Sequence, residues 1–303
     1  MYKCLFSLVL ALALCCTACN NQPSQQDDAV LHIAATTYPV YLFTTAITEG
    51  AENLVVDWMI QPATSCLHDY TLTVQDMKAI EGADVLVING AGLEDFLSNT
   101  LDSSDAQLID SSKGIPLLDG QGHEHHHDHG HDHQHEDDPH FWMSTEAAAM
   151  MLQNICEGLS QIDPDNAALY ASNLQASLEM LPKNTLRAVS AISRYLITFH
   201  DGFQYFAQDS SMVLLKSIEE EEGAEASSAD IKEVIQLIQT HNIPAIFTEI
   251  NGSQSTAQAI ARETGVQVYA LNLLMSGEGR GIQPYVDAME ENYATIAQAL
   301  GVY

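Results

Sequence analysis

The chain has 303 residues, 46% of them hydrophobic, which is enough for two lobes of ordinary size. Its formal net charge of −31, from 41 acidic against 10 basic residues, argues against nucleic acid as a partner and suits a protein that concentrates cations near its surface. Four of the six cysteines lie within the first 19 residues, which leaves Cys66 and Cys156, and neither a disulfide framework nor the spacing of a structural zinc site is visible.

Residues 1–18 read as a signal peptide: Lys3 is positive, and Leu5 to Leu14 is apolar apart from Ser7, a run too short to span a bilayer. Thr17-Ala18 then precedes Cys19, an arrangement that resembles a bacterial lipobox with Cys16 in the place usual for Leu. Cys19 is the expected lipidated residue, and residues 19–29, polar and low in apolar content from Asn20 to Asp28, suit a tether. Leu31 to Thr36 reads as a strand, Tyr38 to Thr48 as a helix, Leu54 to Ile60 as a strand and Thr73 to Ile80 as a helix. The apolar run DVLVI (Asp84 to Ile88), ending in Asn89-Gly90, reads as a buried parallel strand, and Ala106 to Ile109 as a fourth strand. Ser144 to about Ser193 has helical composition, broken once at Asp163-Pro164. Strand patterns return at Tyr195 to Phe199, Met212 to Leu215, Ala245 to Thr248 and Val266 to Leu271. Between them Ser227 is placed to cap a helix with apolar Ile231, Val234, Ile235 and Ile238. Strands alternating with helices imply an α/β fold. Each of its two lobes holds a mostly parallel sheet flanked by helices. The expected boundaries are 30–163 for the N-terminal lobe, 164–193 for a linking helix and 194–303 for the C-terminal lobe.

Nine of the thirteen histidines fall between His123 and His140. His123, His125, His126, His127, His129, His131, His133 and His135 alternate with acidic residues in a loop (121–137) that has no apolar residue to bury, as expected of a weak, unselective metal-collecting tract. His140 differs, because Phe141, Trp142 and Met143 can pack and hold it still. His68, in a turn-rich segment after the second strand, and His200, at the C-terminal end of a strand, also lie where an open α/β sheet presents its ligand-binding edge. Histidine is the commonest transition-metal ligand, and three reaching one point would make a zinc-type site. Position alone leaves open whether they converge. The H-E-x-x-H string at His123–His127 falls inside the charged tract and not in a helical pattern, and no G-x-S-x-G elbow is present, so the chain is not read as an enzyme. Asp69 and Asp201 read as groups supporting the adjacent histidines, or as helix caps.

The stretches GADVLVINGAGLEDFL, DPHFWMS, FHDGFQYFA, EEGAEASSADIKEVI and IFTEINGSQSTAQAIARETGVQV occur in this order. Together they resemble the ZnuA-like cluster A-I family of zinc- and manganese-binding proteins that serve ABC transporters, over nearly the whole mature chain. The resemblance implies two α/β lobes joined by one long rigid helix, with the metal between them. It also implies an extracytoplasmic, lipid-anchored protein that delivers Zn2+ to an importer's membrane permease and ATPase. The family's three metal histidines fall on His68, His140 and His200. Histidine at the third position, and the His-rich insert before the second, are features of zinc members, and nitrogen-rich ligation suits zinc over manganese. The family's usual acidic fourth ligand matches Asn272 or Met275 here, so Glu278, Glu249 or water is expected to complete the site. Cys66 is a further candidate, more readily read as an inert thiol. Leu67 stands where some zinc members carry a carboxylate. The alternatives are another divalent cargo such as manganese, or a metal-dependent surface adhesin, a role given to some family members.

Overall fold

The computed structural model describes residues 30–61, 67, 70–101, 104–120, 137–188, 194–219 and 226–301. The first sheet is built from β1 (Leu31–Ala35), α1 (Tyr38–Ile47), β2 (Leu54–Trp58), α2 (Val74–Gly82), β3 (Val85–Ile88), α3 (Ser98–Leu101) and β4 (Gln107–Asp110). Its four strands are parallel in the order β2-β1-β3-β4. After α4 (Thr145–Ile162) and α5 (Ala167–Met180), the winding repeats through β5 (Tyr195–His200), α6 (Gln204–Asp209), β6 (Val213–Glu219), α7 (Ser228–His241), β7 (Ala245–Glu249), α8 (Ser255–Thr264), β8 (Gln267–Leu271) and α9 (Gln283–Ala299). The second sheet is again parallel, in the order β6-β5-β7-β8. In each sheet the winding reverses beside its first strand, and ligands of open α/β sheets lie beyond the strand ends at that reversal. Leu31–Tyr303 forms one compact unit that holds both sheets.

Local chemistry explains the element ends. Thr73 and Asp76 form a capping box at the start of α2: Asp76 N donates to Thr73 Oγ1 (3.2 Å) and Thr73 N donates to Asp76 Oδ2 (2.7 Å). Ser227 Oγ accepts from Asp230 N (3.2 Å) as the sequence implies, and α7 closes on Asn242 in the left-handed region (φ 51°). The chain between the sheets breaks at Asp163-Pro164 into α4 and α5, which pack on each other and on α1. Within 164–193, where the sequence reading places a linking helix, the structure describes α5. It stops at Met180 because Pro182 holds Leu181 extended (ψ 132°), and a short turn at Thr185–Ala188 follows. Among the described residues four helices went unread in the sequence: α3, α6, α8 and α9. In α9, Tyr285, Met289, Tyr293 and Ile296 make a buried stripe at helical spacing.

Burial sets which way the second sheet faces. Leu196 on β5 and Ala245 and Phe247 on β7 join the core shared with the first sheet. Ile197, Phe199 and Ile246 join a separate core under α7 and α8. Alternation along a strand therefore aims His200 and Glu249, at the ends of β5 and β7, to the shared side. Among the described residues no helix is long and apolar enough to cross a membrane.

Beyond β3 the turn Asn89-Gly90 is held by a buried carboxylate. Glu94 accepts from Thr36 Oγ1 (2.6 Å), Asn89 N (2.8 Å) and Gly90 N (3.0 Å). Burial pushes its carboxyl up to about 7, against the three hydrogen bonds that favour the ion; Asp110 adds a smaller push upward. The folded state thus holds a proton on Glu94 where the unfolded chain, titrating near 4.5, has released it. Unfolding stability should therefore fall as pH rises from about 4.5 to about 7, by on the order of 3 kcal/mol from this group. Denaturant titrations at several pH values on metal-free protein check this. Glu94→Gln should lose that component of the slope, and an unchanged slope would contradict the assignment.

Candidate metal centre

Two imidazoles from different halves of the chain meet in the interior. His140 precedes the short Phe141–Met143 turn that leads into α4, and His200 ends β5. Both are 3% exposed. Their ring centroids lie 5.5 Å apart with the planes nearly perpendicular, at 84°.

Each ring has a carboxylate behind it. His140 Nδ1 lies 2.8 Å from Asp138 Oδ1, which also accepts from the His140 backbone N (2.9 Å). His200 Nδ1 lies 3.0 Å from Glu249 Oε1. With Nδ1 as the N–H donor to a carboxylate, the lone pair of each neutral ring is on Nε2. Asp201 sits in the same neighbourhood and accepts from Ser217 Oγ (3.1 Å). Burial pushes the Asp201 carboxyl up and nearby Asp138 adds to that, while His140, the Ser217 hydrogen bond and His200 pull it down.

The surroundings hold the pair in register. Phe141, Trp142 and Met143 are fully buried, and the Trp142 ring lies 5.2 Å from that of His140. Asn89 Nδ2 donates to Pro139 O (3.0 Å), which fastens the His140 loop to the end of β3. The Tyr205 hydroxyl donates to Asp138 O (2.9 Å) and accepts from Leu118 N (2.8 Å), which fastens the same loop to α6. Trp142 Nε1 donates to Leu273 O (3.0 Å), beyond β8. Gly202 closes the arrangement. A Cβ at this position would lie 2.8 Å from Leu273 Cδ1, 3.0 Å from His200 Cδ2 and 3.1 Å from His140 Cδ2, so any larger residue must push Leu273 or the rings aside.

Of the sequence-derived ligands, the structure brings His140 and His200 together. His68, Cys66 and Asp69, the tract histidines and Cys19 lie outside the described residues. Leu67, just before His68, is buried in the shared core. Glu249, weighed as a fourth ligand, stands behind His200 on Nδ1. Glu278 is exposed, and its backbone carbonyl accepts from the Tyr38 hydroxyl (2.7 Å). Among the described residues no group of three His, Cys, Asp or Glu side chains is placed to hold an ion. The sequence reading missed Asp138 and Gly202. Their signals were the D-x-H spacing and the glycine two residues after His200.

The family described as "Zinc-uptake complex component A periplasmic" matches residues 33–299. The zinc-binding lipoprotein AdcA of Streptococcus pneumoniae is 32% identical over 310 residues, covering 96% of this chain; the chain spans 60% of that relative's length. The high-affinity zinc uptake system protein ZnuA of Bacillus subtilis is 30% identical over 312 residues, covering 97% of this chain and 96% of that protein. Among solved structures, a Zn(II)-bound variant of AdcAII of Streptococcus pneumoniae is similar at a TM-score of 0.75 and 26% identity, covering 89% of this chain and 98% of that one.

The tight packing at Gly202 yields a test that needs no metal. Gly202→Ala must displace Leu273 or the imidazoles, and overpacking of this kind costs about 1–3 kcal/mol. Thermal unfolding of the metal-free protein should show a lower midpoint than the unaltered chain. An unchanged midpoint would mean that the rings are not packed against this residue.

Proposed function

The chain belongs to the ZnuA family of zinc-uptake components, and on that premise we propose that it binds Zn2+ outside the cytoplasm and delivers it to the permease and ATPase of an ABC importer. The observation that carries this reading is the buried pair His140 and His200, each with Nδ1 on a carboxylate and its lone pair on Nε2. Neutral imidazole nitrogens are zinc ligands, and a carboxylate behind each ring fixes its tautomer and raises its basicity. His68 is proposed as the third nitrogen donor. A water or a carboxylate would complete four-coordination, with Glu278 and Glu249 the candidates that the sequence offers.

Nothing in this arrangement asks for turnover: the ion is cargo, and the protein's work is to select, hold and release it. Imidazole-rich ligation favours zinc over manganese, which prefers oxygen donors. The tract at 121–137 is proposed to gather ions weakly and in many equivalent ways, which a net charge of −31 assists by raising the local cation concentration. Cys19 is proposed as the lipidated residue that keeps the protein at the membrane, with residues 19–29 as its tether. The halves at 30–163 and 194–303 are proposed as the lobes on either side of the ion, joined through 164–193.

Equilibrium competition titration with a zinc chelator, together with metal analysis, tests this. The unaltered chain should hold one tight zinc plus weaker ions, and the form lacking 121–137 should keep the tight one alone. His140→Ala or His200→Ala should abolish tight binding, whereas His131→Ala should leave it intact. Asp138→Asn and Glu249→Gln should each weaken it by roughly 10- to 100-fold. Loss of the tight zinc on deleting the tract, or equal effects of His200→Ala and His131→Ala, would overturn the assignment of ligands.

A further inference from the structure

Residues 272–281, between β8 and α9, are pinned along their length to groups from both halves of the chain. At the near end Asn292 Oδ1 accepts from Asn272 N and Asn292 Nδ2 donates to Asn272 O, both at 2.8 Å. Trp142 Nε1 holds Leu273 O, and the Leu273 side chain and both imidazoles converge around Gly202, each within 3.1 Å of where a Cβ there would stand. Asn251 Nδ2 donates to Ser276 Oγ at 2.9 Å. The far end is fastened to α1. There the Tyr38 hydroxyl donates to Glu278 O (2.7 Å), and Gly281 N donates to Thr45 Oγ1 (2.8 Å). The approach to Tyr38 is close enough that a Cβ at Gly277 would lie 2.5 Å from the Tyr38 ring.

The two ends differ in what holds them. The near end follows directly from β8, is braced by α9 through Asn292 and is bonded by the buried Trp142. The far end rests on two hydrogen bonds and one ring contact. α1 is a firm anchor, because it is buried on nearly every side, with Thr45 at 1% exposure. Tyr38 is further fixed by its ring contact with Trp58, at a centroid distance of 4.8 Å. Burial holds the Tyr38 hydroxyl above its usual range, so it stays a neutral donor.

We infer that Tyr38 and Thr45 are positioning residues for metal exchange: they clasp the far end of the 272–281 strap to α1, keep it closed beside the imidazole pair, and set the rate at which the ion enters and leaves. This rests on the zinc-binding reading above. Both bonds are exchanged for water when the strap lifts, so each holds it by a modest factor, roughly ten or less. Lifting the far end loosens the cover beside the rings while Leu273 stays held by Trp142, and it removes neither imidazole. With water rather than Glu278 completing the coordination, the clasp acts on association and dissociation together and leaves affinity nearly unchanged.

The test uses the full chain and four forms: unaltered, Tyr38→Phe, Thr45→Val and Thr45→Ser. Zinc release into excess colorimetric chelator and zinc uptake are followed by stopped flow, affinity by competition titration. Amide hydrogen exchange at Gly281 in metal-free protein reports the clasp itself. Tyr38→Phe keeps the ring against Trp58 and loses only the hydroxyl; Thr45→Ser keeps the acceptor that Thr45→Val removes. We expect Tyr38→Phe and Thr45→Val to speed exchange at Gly281. Both should raise uptake and release rates by roughly three- to ten-fold, with affinity within about two-fold. Thr45→Ser should match the unaltered chain. Faster exchange at Gly281 with unchanged release would overturn the inference, as would weaker affinity with unchanged uptake, which marks a merely structural role. Failure of the unaltered chain to bind zinc would overturn the functional reading itself, and this inference with it.

Discussion

Burying two imidazoles side by side is the constraint on which the rest of this structure depends. A buried polar ring is costly unless its hydrogen-bonding groups are satisfied. Here Asp138 and Glu249 take the Nδ1 side of each ring, which puts the lone pair of each neutral ring on Nε2. The two carboxylates reach their rings differently. Asp138 acts through a tight local turn that also binds the His140 backbone. Glu249 acts across the sheet, from the strand next to that of His200. The first is set by local loop geometry and the second by strand register, so one ring is held by each kind of constraint.

The repeated winding explains why the rings can meet. Each sheet reverses its strand order beside its first strand, and that reversal leaves a crevice beyond the strand ends. The second sheet supplies His200 and Glu249 from neighbouring strand ends. The first supplies the Asn89 turn, stiffened by buried Glu94, on which the His140 loop rests. Trp142 and Tyr205 then tie that loop to segments of the second half. The result is a site whose donors come from separate parts of the chain but whose supports overlap. Rigid placement of that kind distinguishes a selective centre from a histidine-rich loop.

Much of this was legible in the sequence, for identifiable reasons. Apolar runs such as DVLVI and YLITF announce buried parallel strands, because both faces of such strands are covered. Ser227 announced its helix because the cap and its partner are three residues apart. His140 and His200 stood out because each follows or ends a recognisable element. Asp138 did not stand out, since its role depends on a turn conformation that a D-x-H spacing alone does not dictate. Glu249 was noticed as a possible fourth ligand, and in the structure its carboxylate stands at Nδ1 of His200. Nothing in the sequence says that β7 lies next to β5, and only that pairing puts the carboxylate on Nδ1. The glycine at 202 reads as an ordinary turn residue until three side chains are seen converging on it. The strap at 272–281 was scanned for a ligand, whereas its described contacts are mostly backbone hydrogen bonds to side chains distant in sequence.

The central claim is that Asp138 and Glu249 set the tautomers of two imidazoles so that Nε2 of both rings faces the ion. Nitrogen-15 NMR of histidine-labelled protein, without metal and then with one equivalent of zinc, addresses it directly, with the resonances assigned through His140→Ala and His200→Ala. The account predicts that in the zinc-loaded form Nε2 of His140 and of His200 shifts to the metal-bound range while Nδ1 of each keeps its proton. Coordination through Nδ1 of either ring, or resonances of both rings that do not respond to zinc, would contradict it.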